Sequence, residues 1–246
     1  MVSLYTRERG LVEAAAQGIG KPGSSLAAAV ELFTLSNVFL VEGRGADRLT
    51  QARVIEPFYP LRQDMTRYGY AAVACELIMR TTEAGQKVPG LFEVLVKYLH
   101  AMEETASPRV LSWAFELSYL GMSGLGPVMD RCPICSDSIT GGVYVASEGG
   151  VVCDDCAPPV GSAPDISPGT VRTVEAMRSF DLHRLERLRV SDASREEIRR
   201  LLRDHISYHL DVSLKSERFV ENLGSWRRRE RRRPDAAGAR GDRDDE

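Results

Sequence analysis

The stretch Cys132-Pro133-Ile134-Cys135, followed after seventeen residues by Cys153-Asp154-Asp155-Cys156, decides how this chain is read. A Cys-x-x-Cys turn brings two thiols within reach of one metal ion. Two such turns about 15–20 residues apart make a closed tetrahedral zinc site. The residues between them read turn, strand, strand: Ser138 to Gly142, then Val143-Tyr144-Val145, then Gly149-Gly150-Val151-Val152. A short hairpin of this kind returns the second pair to the first, which is the layout of a zinc ribbon. Four thiolates leave no position for an activated water, so such an ion holds structure together. Iron or a redox dithiol pair is also compatible with the spacing.

Charge separates this lobe from the rest. Between 132 and 168 the chain carries five acidic residues and no lysine or arginine, and zinc on four thiolates makes the lobe more negative still. A surface of that sign is a poor phosphate binder, so a protein suits it better than a nucleic acid. The fifth cysteine, Cys75, lies in an apolar helical pattern and reads as a small core residue. Thiols used as metal ligands with one left over fit a reducing compartment. The first residues lack the apolar core of a signal peptide, and no apolar run approaches the roughly 20 residues that span a bilayer. A cytoplasmic address without membrane contact is expected.

Upstream of the ribbon the pattern has two parts. Residues 1–60 alternate as strands do, with a polar turn ending in Gly10 and β-formers from Val30 to Val41 and from Leu49 to Phe58. Short strands with Gly-rich turns predict a small sheet or barrel. From Leu61 the period becomes helical: Tyr68, Ala71, Ala72, Cys75, Ile78 and Met79 share one face, and Leu91–Met102 and Val110–Leu120 predict two more helices. Residues 157–168 read as a linker. Helices resume at Thr170–Phe180 and over a long segment with Ile198, Leu201, Leu202, His205 and Ile206 on one face, where Ser194-x-x-Glu197 offers a capping box. From Ser225 the composition changes to Trp226 and six arginines between 227 and 233, then Pro, Ala, Gly and mixed charge. Such a segment buries no core and is predicted to be a disordered tail over 225–246, with arginines that could hook phosphates.

Several catalytic readings fail on the residues. Gly18-Ile19-Gly20-Lys21-Pro22-Gly23 fits a dinucleotide-binding turn, but Pro22 removes a backbone N–H where amides should face the pyrophosphate, and only helices follow. A P-loop fails because Pro22 follows Gly20-Lys21 and Ala15 holds the first glycine position. The deaminase zinc signature lacks its His-x-Glu. His205 and His209, four apart on one helix, have no third ligand between them and read as partly buried polar groups.

Taken together the residues resemble the bacterial recombination mediator family RecO. Leu4-Tyr5-Thr6-Arg7-Glu8-Arg9-Gly10-Leu11-Val12 is similar to the family's Thr-x-x-x-Gly-hydrophobic turn, and Gly18-x-x-Lys21-Pro22-x-Ser24 to its basic Gly/Ser loop. The order of sheet, helices, ribbon and returning helices also fits, as does the closing Tyr208-His209-Leu210 and Leu214 to Phe219. The resemblance implies an α+β chain: an OB-fold-like nucleic-acid-binding domain over 1–60, then a helical domain over 61–224 with a zinc ribbon at 130–158. It also implies a non-enzymatic DNA repair role: binding single- and double-stranded DNA and annealing strands without ATP. The implied partners are RecR, in some species RecF, and the single-stranded DNA-binding protein that coats the DNA onto which recombinase is loaded.

Two departures accompany the resemblance. Family members begin well upstream of the segment where Met1 falls, so the expected barrel lacks its first strand and exposes an edge, and a misplaced start codon accounts for this. Gln17 stands where the family often has lysine. Six cations in the first domain are then expected to contact DNA: Arg7, Arg9, Lys21, Arg44, Arg48 and Arg53. Tyr5 and Phe39 are the stacking candidates, although Phe33 and Phe39 both read as core packing. Arg195, Arg199, Arg200 and Arg203 offer a second basic surface, unless Glu196 and Glu197 neutralise it. The competing class is a zinc-stabilised helical protein-interaction module without intrinsic DNA binding.

Overall fold

In the computed structural model, which describes residues 1–21, 24–159 and 163–231, a small β-sheet leads into a helical body. The sheet contains β1 (Val2–Thr6), β2 (Gly10–Ala15), β3 (Leu35–Val41) and β4 (Asp47–Glu56) in the order β1-β2-β4-β3. β1 and β2 form an antiparallel hairpin, β2 and β4 pair briefly in parallel, and β3 pairs antiparallel with β4 along its length. β1 and β3 are therefore free edges within the described sheet, and the barrel is not closed. Between them opens a cleft of about 820 Å³, whose helical floor includes Ile78, Phe92, Leu95 and Leu99. Val30–Thr34, read as part of a strand, form a turn instead: α1 (Ser25–Ala29) ends there, and Phe33 takes φ 61 to bury its ring beside Tyr68.

The helical body is built around α5 (Pro108–Met122), which is buried on nearly every side because its residues are apolar all round. Around it lie α3 (Met65–Thr81), α4 (Leu91–Glu104), α6 (Pro168–Arg178), α7 (Leu182–Arg187) and α8 (Asp192–Leu210), with α2 (Tyr59–Gln63) joining β4 to α3. Cys75 packs against this core, and burial pushes its thiol up to about 12. The helix starts follow ordinary capping chemistry. Asp64 accepts from Thr66 N and Arg67 N at 2.7 and 3.1 Å, Ser167 caps α6 and Asp181 caps α7. The predicted capping box at Ser194 is displaced: Ser191 caps α8 through Ser194 N at 3.1 Å, and Glu197 instead accepts from Ser167 N and Oγ at 2.8 and 2.9 Å. One more turn of helix forms than the box implied, and Glu197 is spent joining α8 to the start of α6.

The last helix, α9 (Lys215–Arg231), is stapled to α3. Glu76 accepts from Lys215 N at 3.0 Å and from Ser216 N at 2.8 Å, satisfying amides that the helix cannot bond itself. Further along, Gly69 admits the side chains of Val220 and Phe219 so closely that an added Cβ would lie 2.5 Å from Val220 Cγ2. The predicted disordered tail is corrected over 225–231, which continue α9; arginine is a good helix former, and the capped start supplies the nucleus. Residues 232–246, the remainder of that expectation, lie outside the described residues. The predicted linker is corrected too, since Asp165–Ile166 form a strand, β7, added to the ribbon.

Glu116 is an exception within α5. It is 6% exposed, accepts from Ser112 Oγ at 2.9 Å, and burial followed by the nearby Glu217 carboxylate pushes it up to about 8. A carboxyl whose folded pKa is raised contributes stability below its unfolded pKa, and that contribution is lost as pH rises through the folded value. Glu116→Gln, which keeps the shape and removes the ionisation, is expected to leave the thermal midpoint near pH 5 almost unchanged. At pH 9 it should raise stability by about 2–4 kcal/mol. Equal midpoint shifts at both pH values would show that the carboxyl does not ionise on unfolding.

A four-thiol metal site and a basic sheet face

The ribbon assembles as its sequence requires. β5 (Gly142–Val145) pairs antiparallel with β6 (Gly150–Val152), Val143 opposite Val152, with one 3₁₀ turn, Ala146–Glu148, between them. At the first knuckle Ser136 N donates to Cys132 O and Cys132 N to Asp137 O, both at 2.8 Å, with Ser136 in the left-handed region at φ 67. At the second, a 3₁₀ turn over Asp154–Cys156 lets Cys156 N reach Cys153 O at 3.1 Å. The sulfurs of Cys132, Cys135, Cys153 and Cys156 consequently all lie within 4.8 Å of one another.

These sulfurs fit a tetrahedral ion. Cys135 Sγ and Cys153 Sγ are 3.7 Å apart, and a metal–sulfur bond of about 2.3 Å gives a tetrahedral edge of about 3.8 Å. Burial opposes ionisation of Cys132, yet hydrogen bonds from the backbone of Cys135, Cys153 and Ile134 outweigh it and bring that thiol down to about 6. Cys156 moves the other way, up to about 12, first through its contact with Cys153 and then through burial. Thiols this close cannot all ionise unaided, so the cluster calls for a cation to balance four thiolates. The four ligands predicted from spacing are thus the four the fold brings together.

The ribbon is mounted on the helical body through polar contacts. Val128 N donates to Gly149 O at 2.9 Å, and Val151 N to Val128 O at 2.8 Å. His205, 1% exposed on α8, contacts Leu125 O through Nε2 at 2.5 Å and the Tyr144 hydroxyl through Nδ1 at 2.7 Å. The carbonyl fixes Nε2 as the donor, so Nδ1 accepts from Tyr144. Burial holds His205 neutral, down to about 4. His205 is a strut between ribbon and helix, as its sequence position implied, and no shared metal is needed to explain it.

The six cations predicted on the sheet divide into two groups. Arg7 pairs with Glu93 at 3.1 Å and lies over the Phe92 ring, and Arg9 pairs with Asp47 at 2.6 Å. Among the described residues Lys21, Arg44, Arg48 and Arg53 form no ion pair and are exposed. Pro22 and Gly23 of the loop beside Lys21 lie outside the described residues. Register places Asn37 opposite Arg53, Phe39 opposite Gln51 and Val41 opposite Arg48, and opposed residues share a face. Phe39 is 67% exposed on that face, which corrects its reading as core, whereas Phe33 is buried as expected. Alternation along β3 decides this, since Val38 and Leu40 turn inward. Tyr5, on β1, is half-buried and packs against the hydrophobic core. On α8 the second basic surface is largely neutralised. Arg199 pairs with Glu196 and with Glu221, Arg200 with Glu196 at 2.8 Å, and Arg203 with Glu221. Glu221 was the partner sequence reasoning missed; it reaches these arginines from α9.

Fold and site together define an α+β protein in which an N-terminal sheet precedes a helical body carrying a four-thiol ribbon able to hold a metal ion. Family comparison gives the same division. Residues 1–58 match the model described as Recombination protein O N terminal, and residues 62–218 match Recombination protein O C terminal. The chain is 34% identical to the DNA repair protein RecO of Pelotomaculum thermopropionicum over 225 residues, 91% of this chain and 88% of that protein. It is 32% identical to RecO of Bacillus mycoides, covering 92% and 91%, and 29% identical to RecO of Listeria monocytogenes, covering 92% and 89%. The chain belongs to the RecO family of DNA repair and recombination proteins. Among the described residues no helix is long and apolar enough to cross a membrane.

Proposed function

We propose that this protein is a non-enzymatic recombination mediator that binds single- and double-stranded DNA, anneals complementary strands without ATP, and helps load recombinase together with RecR and, where present, RecF. Its substrate in the cell is DNA coated by single-stranded DNA-binding protein, in the cytoplasm at the nucleoid. Residues 1–60 act as an open OB-type barrel that would be closed by one further strand between β1 and β3. Residues 61–224 form the helical domain, and the ion held by Cys132, Cys135, Cys153 and Cys156 is a structural zinc. Supplied there, zinc contributes charge balance and crosslinking, with no open position for chemistry.

The observation that carries the DNA reading is the exposed face of β3 and β4. An unshielded aromatic, Phe39, lies between Arg48 and Arg53, neither of which has an acidic partner among the described residues. Single-stranded DNA is held by this combination, with bases stacking on the ring while guanidinium groups follow the phosphates. Annealing needs two strands brought together with their repulsion reduced, and it needs no acid or base. Arg48→Gln with Arg53→Gln is expected to weaken single-stranded DNA binding about tenfold at low salt and to lower the salt-dependence slope by about 1–2. Fluorescence anisotropy across a potassium chloride series measures both. Wild-type protein that shows no salt-sensitive DNA binding would instead be a protein-interaction module.

A further inference from the structure

Where α3 ends and α9 begins, three cations gather on one short loop. Arg80, in the last turn of α3, donates from Nη1 to Ser213 O at 2.9 Å. Arg218, in the first turn of α9, donates from Nη2 to Ser213 Oγ at 2.7 Å. Two guanidinium groups from different helices therefore close on a single exposed serine, and Lys215, the exposed first residue of α9, stands beside them. Both bonds go to neutral oxygens, so neither cancels a charge. Among the described residues Arg218 and Lys215 form no ion pair, and Arg80 meets only Glu76, at 3.8 Å.

Glu76 is poorly placed to neutralise the group, because it is committed elsewhere. Its carboxylate accepts from Lys215 N at 3.0 Å, from Ser216 N at 2.8 Å and from the Ser216 hydroxyl. The start of α9 is thus already capped, and a ligand would be held by the side chains instead of the helix amides. Like charges directed onto one residue repel, and an anion between them removes that cost. A phosphate suits the arrangement, since its oxygens can accept from two guanidinium forks while an ammonium adds a point charge.

The cluster stands where the helical body is sewn to the sheet. Four residues after Arg80, Ala84 bridges to Leu11 of β2, and Gly85 N donates to Leu11 O at 2.7 Å. Lys87, exposed in the same loop, adds a further cation. From Leu11, β2 continues to Ala15, which lies opposite Arg48 of β4. At about 3.3 Å per residue that path is roughly 13 Å long. The cluster and Arg48 are therefore set apart by the length of β2 and one connecting turn. Strands held at the two places are neighbours that do not compete for one surface.

We propose that Arg80, Lys215 and Arg218, gathered at Ser213, form a phosphate-binding site that holds the backbone of a second nucleic-acid strand while the β3–β4 face holds the first. This rests on the DNA reading above and assigns the second strand of the annealing reaction to a surface outside the sheet. The site grips phosphates without regard to base sequence, so its signature is electrostatic.

The test uses the full chain with Arg80→Gln, Lys215→Gln and Arg218→Gln combined, and a companion carrying Arg80→Lys and Arg218→Lys. Capture of a second labelled strand by protein saturated with a first, and annealing of complementary oligonucleotides, are measured across a potassium chloride series. The glutamine variant is expected to anneal about tenfold more slowly and to lose about 2 from the salt slope of second-strand capture, while the lysine companion keeps most of both. Lys215→Glu leaves both guanidinium bonds in place, so it should fold as wild type does and weaken second-strand capture about threefold at low salt. A glutamine variant with a wild-type thermal midpoint and unchanged capture and annealing overturns the site. If that variant does not fold, unchanged capture in Lys215→Glu overturns it. Loss of thermal stabilisation by inorganic phosphate with normal annealing would mark a site for the free ion, and lost binding of a glutamate-rich peptide with normal annealing would mark protein recognition; either result overturns the strand assignment. Arg48→Gln with Arg53→Gln is read by first-strand affinity, so failure of the sheet reading shows in a different measurement.

Discussion

Cys132→Ser is expected to destabilise the helical body by about 4 kcal/mol or more and to release the metal, because loss of a structural metal is among the few single changes with effects that large. Cys132 is the cluster's buried member, with its thiol already lowered by backbone hydrogen bonds, so serine there removes a ligand that water cannot replace. The damage should spread along the ribbon's mount. Gly149 and Val151 bond to Val128, and Tyr144 bonds to His205, which bonds in turn to Leu125. A loosened ribbon leaves His205 without its fixed partner inside the core. Metal content by mass spectrometry and denaturant unfolding of wild type, Cys132→Ser and chelator-treated protein check this. The acidic lobe carries no lysine or arginine, so single-stranded DNA affinity of whatever protein remains folded should stay within about twofold of wild type. A variant that keeps its stability but loses DNA binding would put the metal in the DNA interface and sink this account.

Local chemistry made some features legible in the sequence, while long-range packing hid others. The four ligands could be read because two Cys-x-x-Cys turns encode their own geometry, and the hairpin between them needs only neighbouring residues. The helices were visible wherever one apolar face repeats. Their starts were less so: Ser191 and Ser194 are both competent caps, and only the engagement of Glu197 by Ser167 decides between them. Phe39 was misread because a phenylalanine in a β-rich run usually points inward, whereas the alternation set by Val38 and Leu40 turns it out. The neutral state of the α8 arginines depends on Glu221, distant in sequence and delivered by α9. Nothing local in Ser112 or Glu116 announces a buried carboxyl, since the helix pattern around them is apolar on all sides.

Gly10→Ala should be the most damaging substitution in the sheet, at about 3–5 kcal/mol, and the reason lies in the helical body. The Thr-x-x-x-Gly turn is tightly determined: Thr6 Oγ1 donates to Gly10 O at 3.0 Å and accepts from Arg9 N at 3.1 Å. Gly10 itself takes φ +65, a conformation that strains any residue with a Cβ, and an added Cβ would lie 1.8 Å from the carbonyl oxygen of Gln86. That oxygen cannot yield easily. Gln86 N donates to Glu83 O, the Gln86 side chain accepts from Glu83 N, and Gly85 N donates to Leu11 O at 2.7 Å. The hairpin and the 83–87 loop therefore form one seam, which alanine must force apart, freeing β1 and β2 from the helices. Gly85→Ala separates strain from collision, because Gly85 has φ +80 but open space where its Cβ would stand. It should cost only about 1–2 kcal/mol. Denaturant unfolding should rank Gly10→Ala well beyond Gly85→Ala, with amide exchange in β1 and β2 accelerated only in the first. Equal losses in the two variants would mean that strain alone acts and that the seam does not hold the sheet to the helical body.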